Sequence, residues 1–437
     1  MAYPDPRLLA LVAAWTASAV IAVALPPWRV VSVGLAALLA AAAALDVLAM
    51  HRRPRLRVQR RLPERATVGR QAPITVVLEN PGAGDATASV LDEAPEDVTV
   101  DEPTFTVRLQ GGETRTLTYT ALPTRRGDRV FGPTYVFERS PFGLWRRRTT
   151  GEAGAALAVY PDTTALVGRH ALDARRLAAA LGLRVIPRRG EGMEFESLSE
   201  YVVGDDPRRI DWAATVRRRR LITRRYRHER HHTVLLAVDS SRLMGARIGS
   251  RTKLDAAVDA CLGVAYAALT AGDRVGVIVF DAEVRAYLAP RAHRRRFGAV
   301  VDVLRTAAPQ LVETDFAALA RTLTVHQRQR ALVVVLTDVV DAAATQLEPL
   351  AMLARRHRLL VVTVRDPVFD ALAPGAARPD EPVLALYRRL ALDDLLRARD
   401  VALARLRHAG IDAADLPPHR LTTAVLNRYL PLRERTV

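Results

Sequence analysis

The sequence contains a single cysteine in 437 residues, Cys261. One cysteine excludes an internal disulfide, so the fold must be held by burial of apolar surface, for which a chain of this length is ample. Leu254, Val258 and Leu262 surround Cys261 at helical spacing. This spacing predicts a buried helix in the core of a domain.

Short motifs of several enzyme classes are also absent. The sequence has no CxxC, no GxSxG and no GxxxxGK[ST], which excludes the common dithiol site, the serine-hydrolase elbow and the phosphate-binding loop. His228, His231 and His232 cluster, but no histidine has a spacing that identifies a catalytic triad. We therefore predict no catalytic residue and no cofactor-binding motif. A scaffold or adaptor is the expected function, and an enzyme is the less favoured alternative.

Acidic residues are outnumbered, 47 against 64 basic ones, which gives a net charge of +17. Such an excess indicates an anionic partner such as lipid or nucleic acid. Nearly all the basic residues are arginine and alanine is abundant, so a compositional bias of the source genome explains the same excess without a binding role. Binding of an anionic ligand stays an alternative function, and nucleic acid is not the partner we expect.

Two long apolar runs open the chain. Residues 8–25 carry no charged side chain and residues 30–50 carry only Asp46, and each run is long enough to cross a bilayer as a helix. Pro26–Arg29 breaks the run between them. We predict a transmembrane hairpin over 1–53. The alternatives are a cleaved signal peptide and a buried alanine-rich hairpin in a soluble protein.

The sequence HRRPRLRVQRR follows the second run, at 51–61. By the positive-inside rule this segment stays in the cytoplasm, where it attracts anionic lipid head groups. We therefore expect a multi-pass protein of the inner (cytoplasmic) membrane whose large domains are cytoplasmic.

From 54 to 165 apolar and polar residues alternate with a period of two. Pro73–Asn80, Thr104–Leu109 and Thr114–Leu122 have the pattern of strands, and NPGAGD and QGGE have the composition of turns. The segment predicts an antiparallel β-sandwich, immunoglobulin-like in shape, that acts as a spacer or docking module.

Strands and helices alternate from 233 to 366. Buried strands are predicted at Val234–Val238, Val275–Phe280, Leu332–Leu336 and Leu359–Val364, with amphipathic helices between them and a short antiparallel edge strand within 280–288. This order predicts a doubly wound α/β domain, whose ligands bind beyond the carboxyl ends of the strands. A Pro-rich linker then leads into a helical tail over 367–437.

Four oxygen-bearing side chains are expected at that edge of the sheet. Asp239 and Ser241 follow the first strand, and Thr314 precedes a helix. Asp338 follows the strand Leu332–Leu336, which is the fourth when the edge strand is counted. This arrangement resembles the metal-ion-dependent adhesion site of von Willebrand factor A domains, over about Thr233 to Asp366. The resemblance implies Mg²⁺ held by hydroxyl and carboxylate oxygens, with a partner's carboxylate at the open position.

The sequence departs from the adhesion-site motif at Leu243, which stands where the family has its second serine. A leucine donates no oxygen, so the site is expected to be weakened or lost. Two alternatives stay open: Mg²⁺ with waters in place of the missing ligand, or a metal-free edge in which Arg242 neutralises the carboxylates.

A more specific resemblance lies at Gly192–Arg230, GMEFESLSEYVVGDDPRRIDWAATVRRRRLITRRYRHER. It is similar almost position by position to the signature of the bacterial domain of unknown function 58 (DUF58) family, as are RRGDRVFGP and SPFGLWRRR in the sandwich. The signature lies in a segment, 166–232, that links the two large domains. Its residues that we single out are Glu194, Tyr201, Gly204, Asp205, Arg209, Asp211 and Trp212. The resemblance implies a membrane-anchored protein that works beside a MoxR-type AAA+ ATPase in assembly or remodelling of envelope complexes.

The signature also has a physical interpretation. Its aspartates accept hydrogen bonds from neighbouring arginines, and Trp212 supplies a large apolar anchor. The segment is then either a structural clamp onto the α/β domain or a docking surface. Arg217–His232 has one Glu among many basic residues, a composition that suits anionic lipid, an acidic protein surface or nucleic acid.

Overall fold

The computed structural model describes residues 2–102, 104–151, 153–163, 194–202, 207, 210–227, 232–339, 344–368 and 383–434. The chain divides into two compact units, Met1–Asp162 and Thr163–Val437.

The first unit begins with two apolar helices, as the hydropathy pattern predicts. A short strand, β1 (Ala2–Pro4), precedes α1 (Pro6–Ala24), and α2 (Trp28–Arg52) follows it. Asp5 caps α1 by accepting a hydrogen bond from the Arg7 backbone, and the Trp15 indole donates to the Ser32 carbonyl across the pair. Both helices are long and apolar enough to cross a membrane, and most of their residues are not buried.

Strands make up the rest of this unit. They are β2 (Arg57–Arg61), β3 (Ala66–Thr67), β4 (Ala72–Glu79), β5 (Ala86–Asp92), β6 (Val98–Val100), β7 (Thr104–Leu109), β8 (Thr114–Pro123), β9 (Gly127–Val130), β10 (Thr134–Arg139), β11 (Trp145–Thr150) and β12 (Ala156–Tyr160). Two larger antiparallel sheets have the orders β1-β11-β10-β5-β7 and β2-β4-β8-β6, and a third has the order β3-β12-β9. Alternate residues of these strands meet in one core, which explains the period of two in the sequence.

A buried ionic cluster lies within this unit. The carboxylate of Asp92 accepts hydrogen bonds from the Arg60 guanidinium, from Tyr119 Oη at 2.6 Å and from Thr134 Oγ1 at 2.8 Å. Burial and the neighbouring Asp92 both raise the pKa of Tyr119, so its hydroxyl stays a donor. The cluster joins strands of both larger sheets.

The second unit is built on a six-stranded sheet. Its strands are β15 (Thr233–Asp239), β18 (Arg274–Phe280), β19 (Val284–Arg291), β20 (Leu332–Thr337), β21 (Arg358–Val364) and β22 (Asp412–Leu416), in the order β19-β18-β15-β20-β21-β22. All neighbours pair in parallel except β18 and β19. Every residue of β15 is buried, as expected for a strand covered on both faces.

Helices flank this sheet. They are α4 (Lys253–Thr270), α5 (Arg296–Thr306), α6 (Phe316–His326), α7 (Ala344–Arg356), α8 (Val383–His408) and α9 (Pro418–Glu434). Apolar residues of α6, α7 and α8 share one core with one face of the strands, and α4 packs on β15 and α9. A capping box between Thr252 and Asp255 begins α4, which fixes the place of the neighbouring Lys253.

An antiparallel ribbon precedes the sheet. It consists of β13 (Glu194–Glu200) and β14 (Ile222–Arg227), with the short helix α3 (Trp212–Arg218) between them. Two two-residue strands, β16 (Arg247–Ile248) and β17 (Arg251–Thr252), form a small hairpin ahead of α4.

The C-terminal region differs in one respect from the prediction of a helical tail. Its helices α8 and α9 are present, but β22 lies between them and pairs with β21 along its whole length. The sequence AGID, 409–412, is therefore the entrance to a strand. The segment after 367 contributes a strand to the central sheet and packs α9 on α4.

Two glycines of the second unit predict opposite effects of alanine. A Cβ at Gly276 in β18 would lie 2.7 Å from the Leu288 carbonyl oxygen and 2.8 Å from a Leu235 methyl group, whereas a Cβ at Gly298 in α5 meets nothing within 4 Å. We expect Gly276→Ala to lower the free energy of unfolding by roughly 1–3 kcal/mol through overpacking. Gly298→Ala should raise it by about 0.5–1 kcal/mol. Thermal unfolding in detergent measures both, and equal effects would contradict the packing around β18.

Candidate functional site

The carboxyl ends of β15 and β20 bring polar side chains together, as the sequence predicts for this edge. Asp239 ends β15, and the pairing of Val238 with Leu336 sets Asp239 beside the end of β20. Thr314 lies in the loop before α6. Asp239 and Asp338 are 0% and 3% exposed, so neither carboxyl group lies in an open cleft.

Three groups surround the Asp239 carboxyl. The Ser241 backbone NH donates to Oδ1 at 2.8 Å, and the hydroxyls of Thr314 and Thr337 donate to Oδ2 at 2.7 and 2.5 Å. Thr314 Oγ1 also lies 2.8 Å from Ser241 Oγ. The structure thus joins Asp239, Ser241 and Thr314, and it adds Thr337, which the sequence pattern did not indicate.

Asp338 belongs to a second, ionic cluster. Lys253 Nζ donates to its Oδ2 at 2.6 Å, and Arg399 Nη1 donates to its Oδ1. Arg399 Nη2 also donates to Asp415 Oδ1 at 2.7 Å, and Asp415 accepts a hydrogen bond from Thr363 at 2.6 Å. Two buried cations therefore neutralise Asp338.

The two clusters have different electrostatics. Burial raises the pKa of Asp239, and the hydrogen bonds from Thr337, Ser241 and Thr314 only partly oppose it. Burial lowers the pKa of Arg399, but its bonds to Asp415 and the charge of Asp338 outweigh burial and raise it. Burial thus shifts Asp239 toward its neutral form, whereas the paired Arg399 holds its charge.

The expectation that Arg242 neutralises this edge is wrong. Arg242 Nη2 pairs with Glu313 Oε1 at 2.6 Å, and both side chains are exposed. Arg242 begins a 3-10 turn, Arg242–Gly245, and its backbone NH is bonded to the Val312 carbonyl, which directs its side chain away from the carboxylates. Lys253 and Arg399 supply the charge instead.

One sequence signal pointed to Lys253. It is the only lysine among 64 basic residues, and it stands at the start of a predicted helix. Lysine carries a compact ammonium that can pair with a carboxylate at the neighbouring sheet edge. Arg399 carries no comparable signal among so many arginines.

The oxygen atoms of these side chains do not fit a divalent cation. Mg²⁺ needs several oxygens free to coordinate it, but both oxygens of Asp338 accept from cations and both oxygens of Asp239 accept hydrogen bonds. Among the residues that the structure describes, no group of three or more His, Cys, Asp or Glu side chains is placed to hold a metal ion. Of the two alternatives for Asp239, Ser241, Thr314 and Asp338, this pairing favours the metal-free edge, and titration with Mg²⁺ tests that choice.

The signature residues are described in part. Gly204, Asp205 and Arg209 lie outside the described residues, and Glu194 lies on β13. The backbone NH of Tyr201 donates to the Leu221 carbonyl at 2.8 Å. Asp211 caps α3 by accepting from the Ala214 backbone NH at 3.0 Å.

Trp212 is not the buried anchor that the sequence predicts. It is the first residue of α3 and its side chain is 66% exposed. The cap at Asp211 sets the start of the helix so that Ala214, and not Trp212, faces inward. Trp212 is thereby available to a partner.

The sequence HERHH, 228–232, matches the letters of the zinc motif HExxH. That motif binds zinc when both outer histidines lie on one face of a helix. Here it is flanked by strands, with β14 ending at Arg227 and β15 beginning at Thr233. Residues 228–231 lie outside the described residues, and the match carries no assignment.

The raised pKa of Asp239 predicts an unusual pH dependence. A folded-state pKa above the ordinary value of 3.8 means that the folded protein binds this proton more tightly than the unfolded chain does. The contribution of Asp239 to stability is therefore complete below that value and is lost as the pH rises through the folded-state pKa. The stability of the wild type relative to Asp239→Asn should fall from about pH 4 upward, by at most about 1.4 kcal/mol per pH unit. Unfolding in detergent between pH 4 and 8 measures both proteins. A wild type that gains stability relative to Asp239→Asn as the pH rises would contradict the prediction.

Because Asp338 is already paired with two cations, we predict that this edge of the sheet binds no divalent cation. Calorimetric titration of the detergent-purified chain with Mg²⁺ or Mn²⁺ should give no binding heat. Lys253→Met removes the ammonium but keeps the chain length, and it should lower the free energy of unfolding by roughly 3–5 kcal/mol because a buried carboxylate loses a partner. Micromolar Mg²⁺ binding by the wild type that is lost in Asp239→Asn would contradict this prediction.

Comparison with known proteins finds one family model and several bacterial relatives. The family model described as protein of unknown function DUF58 matches residues 197–398. Uncharacterized proteins of Mycobacterium bovis and Mycobacterium tuberculosis are 29% identical over 292 residues, which is 64% of this chain and 90% of theirs. Among solved structures, the conserved hypothetical protein BatB from Bacteroides thetaiotaomicron is 14% identical and covers 46% of this chain and 99% of its own, with a TM-score of 0.32, too low to bear on fold or function. Through residues 197–398, the chain is similar to the DUF58 family.

Proposed function

We propose that this protein is a membrane-anchored scaffold or adaptor whose α/β unit, von Willebrand A-like in architecture, binds a protein partner. The partner that the family resemblance favours is a MoxR-type AAA+ ATPase, in assembly or remodelling of envelope complexes. The adaptor has no turnover of its own. The immunoglobulin-like strands of the first unit hold the anchor.

Anchoring is supported by α1 and α2, which have the length and hydropathy of membrane spans. Arg52 ends α2, and Arg53, Arg55 and Arg57 follow it. Such a cluster favours the cytoplasmic side. In this proposal the protein is multi-pass in the cytoplasmic membrane, and both large units are cytoplasmic. A cytosolic ATPase then has access to them.

In this proposal the docking surface lies away from the closed sheet edge. Asp239, Ser241, Lys253 and Arg399 are at most 4% exposed, and each of these side chains bonds to a neighbour inside the unit. A partner's carboxylate has no exposed cation to meet at these residues. Binding in this proposal therefore uses exposed side chains of the same unit.

The observation that carries the proposal is the outer face of α3. Trp212 and Val216 are 66% and 77% exposed, and their spacing of four residues puts them on the same face of the helix. Tryptophan is the residue type most enriched among the side chains that dominate binding energy at protein interfaces. Both residues lie within the segment that matches the DUF58 family model.

Basic residues border this face. Arg217, Arg218 and Arg219 are exposed at the end of α3, and Arg220 pairs with Glu200 at 2.7 Å at the surface. An apolar pair bordered by guanidinium groups fits a protein partner with an apolar pocket and an acidic rim. An anionic lipid or a nucleic acid stays the alternative partner for this face.

Substitution on α3 tests the adaptor function. The tagged full-length chain is purified from native membranes, and the recovery of the MoxR-type ATPase is measured by quantitative mass spectrometry. We expect Trp212→Ala to weaken the complex by about 2 kcal/mol or more, which is roughly thirtyfold in affinity.

Met352→Ala is the matched control, since Met352 is 69% exposed on α7, and it should leave recovery unchanged. Leu311→Ala tests the other exposed site, because Leu311 is 92% exposed in the loop beside the closed edge. Loss of the ATPase with Leu311→Ala but not with Trp212→Ala would move the docking surface to the sheet edge. No ATPase with the wild-type chain would contradict the adaptor function.

A further inference from the structure

The loop between β10 and β11, Ser140–Leu144, is fastened to the second apolar helix. The carboxylate of Asp46 in α2 accepts hydrogen bonds from Ser140 Oγ at 2.5 Å, from the Phe142 NH at 2.9 Å and from the Leu144 NH at 3.0 Å. Asp46 is fully buried. The one acid in an otherwise apolar run thus receives its donors from this loop.

Further contacts hold the same end of the strands to both helices. The Trp145 indole donates to the Ala43 carbonyl at 2.9 Å, and the Asp5 NH donates to the Leu144 carbonyl at 2.8 Å. Arg147 donates to the carbonyls of Met50 and Arg53 at the end of α2. The loop is therefore held at a fixed height along the helices.

That height can be estimated from helix geometry. With a rise of about 1.5 Å per residue, Ala43 lies about 22 Å and Asp46 about 27 Å from the start of α2. The hydrocarbon core of a bilayer is about 30 Å thick. If α2 spans a bilayer from its start, a loop bonded at Ala43 and Asp46 lies within about 8 Å of the boundary between acyl chains and head groups.

The tip of this loop is apolar and exposed. Ser140, Pro141, Phe142 and Gly143 form a turn closed by a 3.0 Å hydrogen bond from the Gly143 NH to the Ser140 carbonyl. Gly143 has a φ of +74°, which favours glycine. The turn leaves Phe142 64% exposed, whereas Leu144 packs inward.

We propose that Phe142 is a membrane-contact residue that inserts into the boundary layer of the bilayer beside α2. The proposal rests on the membrane anchoring proposed above. We assign lipid as the contact because Asp46 and Trp145 bond this loop to α2, so that the loop continues the apolar surface of the helix. Aromatic side chains favour this layer, and the exposed Arg7 beside Gly143 is placed to meet head-group phosphates.

The test places a fluorescent probe beside Phe142 in the full-length chain. Pro141→Cys is labelled with a nitrobenzoxadiazole maleimide and reconstituted in phosphatidylcholine and phosphatidylglycerol vesicles that contain lipids with a nitroxide near the head group. Native Cys261 competes little for the label, because it is buried and burial raises the pKa of its thiol. The control probe is Glu96→Cys, exposed beyond the Asp92 end of β5, which pairs with the end of β10 away from the loop.

We expect nitroxide lipids to quench the probe at 141 and aqueous iodide to quench it weakly, with the reverse at 96. Adding Phe142→Ser to Pro141→Cys should reduce the lipid quenching. Equal iodide quenching at 141 and 96, or lipid quenching unchanged by Phe142→Ser, would overturn the inference. Vesicle flotation after an alkaline wash separates the two proposals: protein that fails to float loses its anchor, whereas protein that floats with an exposed probe at 141 loses only the membrane contact of Phe142.

Discussion

A carboxyl group removed from water must find its donors inside the protein, because an uncompensated buried charge costs several kcal/mol. Both units are organised around this constraint. In the first unit Asp46 fastens the strands to the apolar helices, and Asp92 joins the two larger sheets. In the second unit Asp239 and Asp338 fix the loops and helices at the edge of the sheet.

The compensation takes two forms with different consequences. Asp239 is surrounded by neutral donors, so burial favours its protonated form. Asp338 is paired with two cations, one from α4 and one from α8. These two ion pairs join Asp338 to residues that lie 85 and 61 positions away from it in the chain. An edge closed in this way is a structural element, and in the proposed adaptor recognition belongs to exposed faces such as that of α3.

Much of this architecture could be predicted because it depends on local patterns. The apolar runs at β15, β20 and β21 and the run of α1 fix the type of each element from composition and period alone. Chain order then places Asp239 and Thr314 at one edge. The strand β22 was missed because IDAADL has two aspartates and a single β-branched residue, and parallel pairing with β21 outweighs its weak propensity.

Side-chain direction was the part that the sequence could not supply. Arg242 is adjacent to Ser241 in the chain, yet a backbone bond to Val312 turns it toward Glu313. Trp212 has the large apolar side chain of an anchor, yet the cap at Asp211 leaves it exposed. Arg399 reaches Asp338 only because α8 packs beside the sheet. Each of these depends on tertiary packing.

The single lysine has a consequence for the chemistry of the surface. Lys253 is 4% exposed and bonded to Asp338, so no side-chain amine of this protein is open to solvent. The positive charge of its exterior is carried by guanidinium groups, which stay protonated at every physiological pH. Reagents and modifying enzymes that act on lysine have no accessible side-chain target on the folded chain, whereas planar oxyanions meet bidentate donors wherever arginine is exposed.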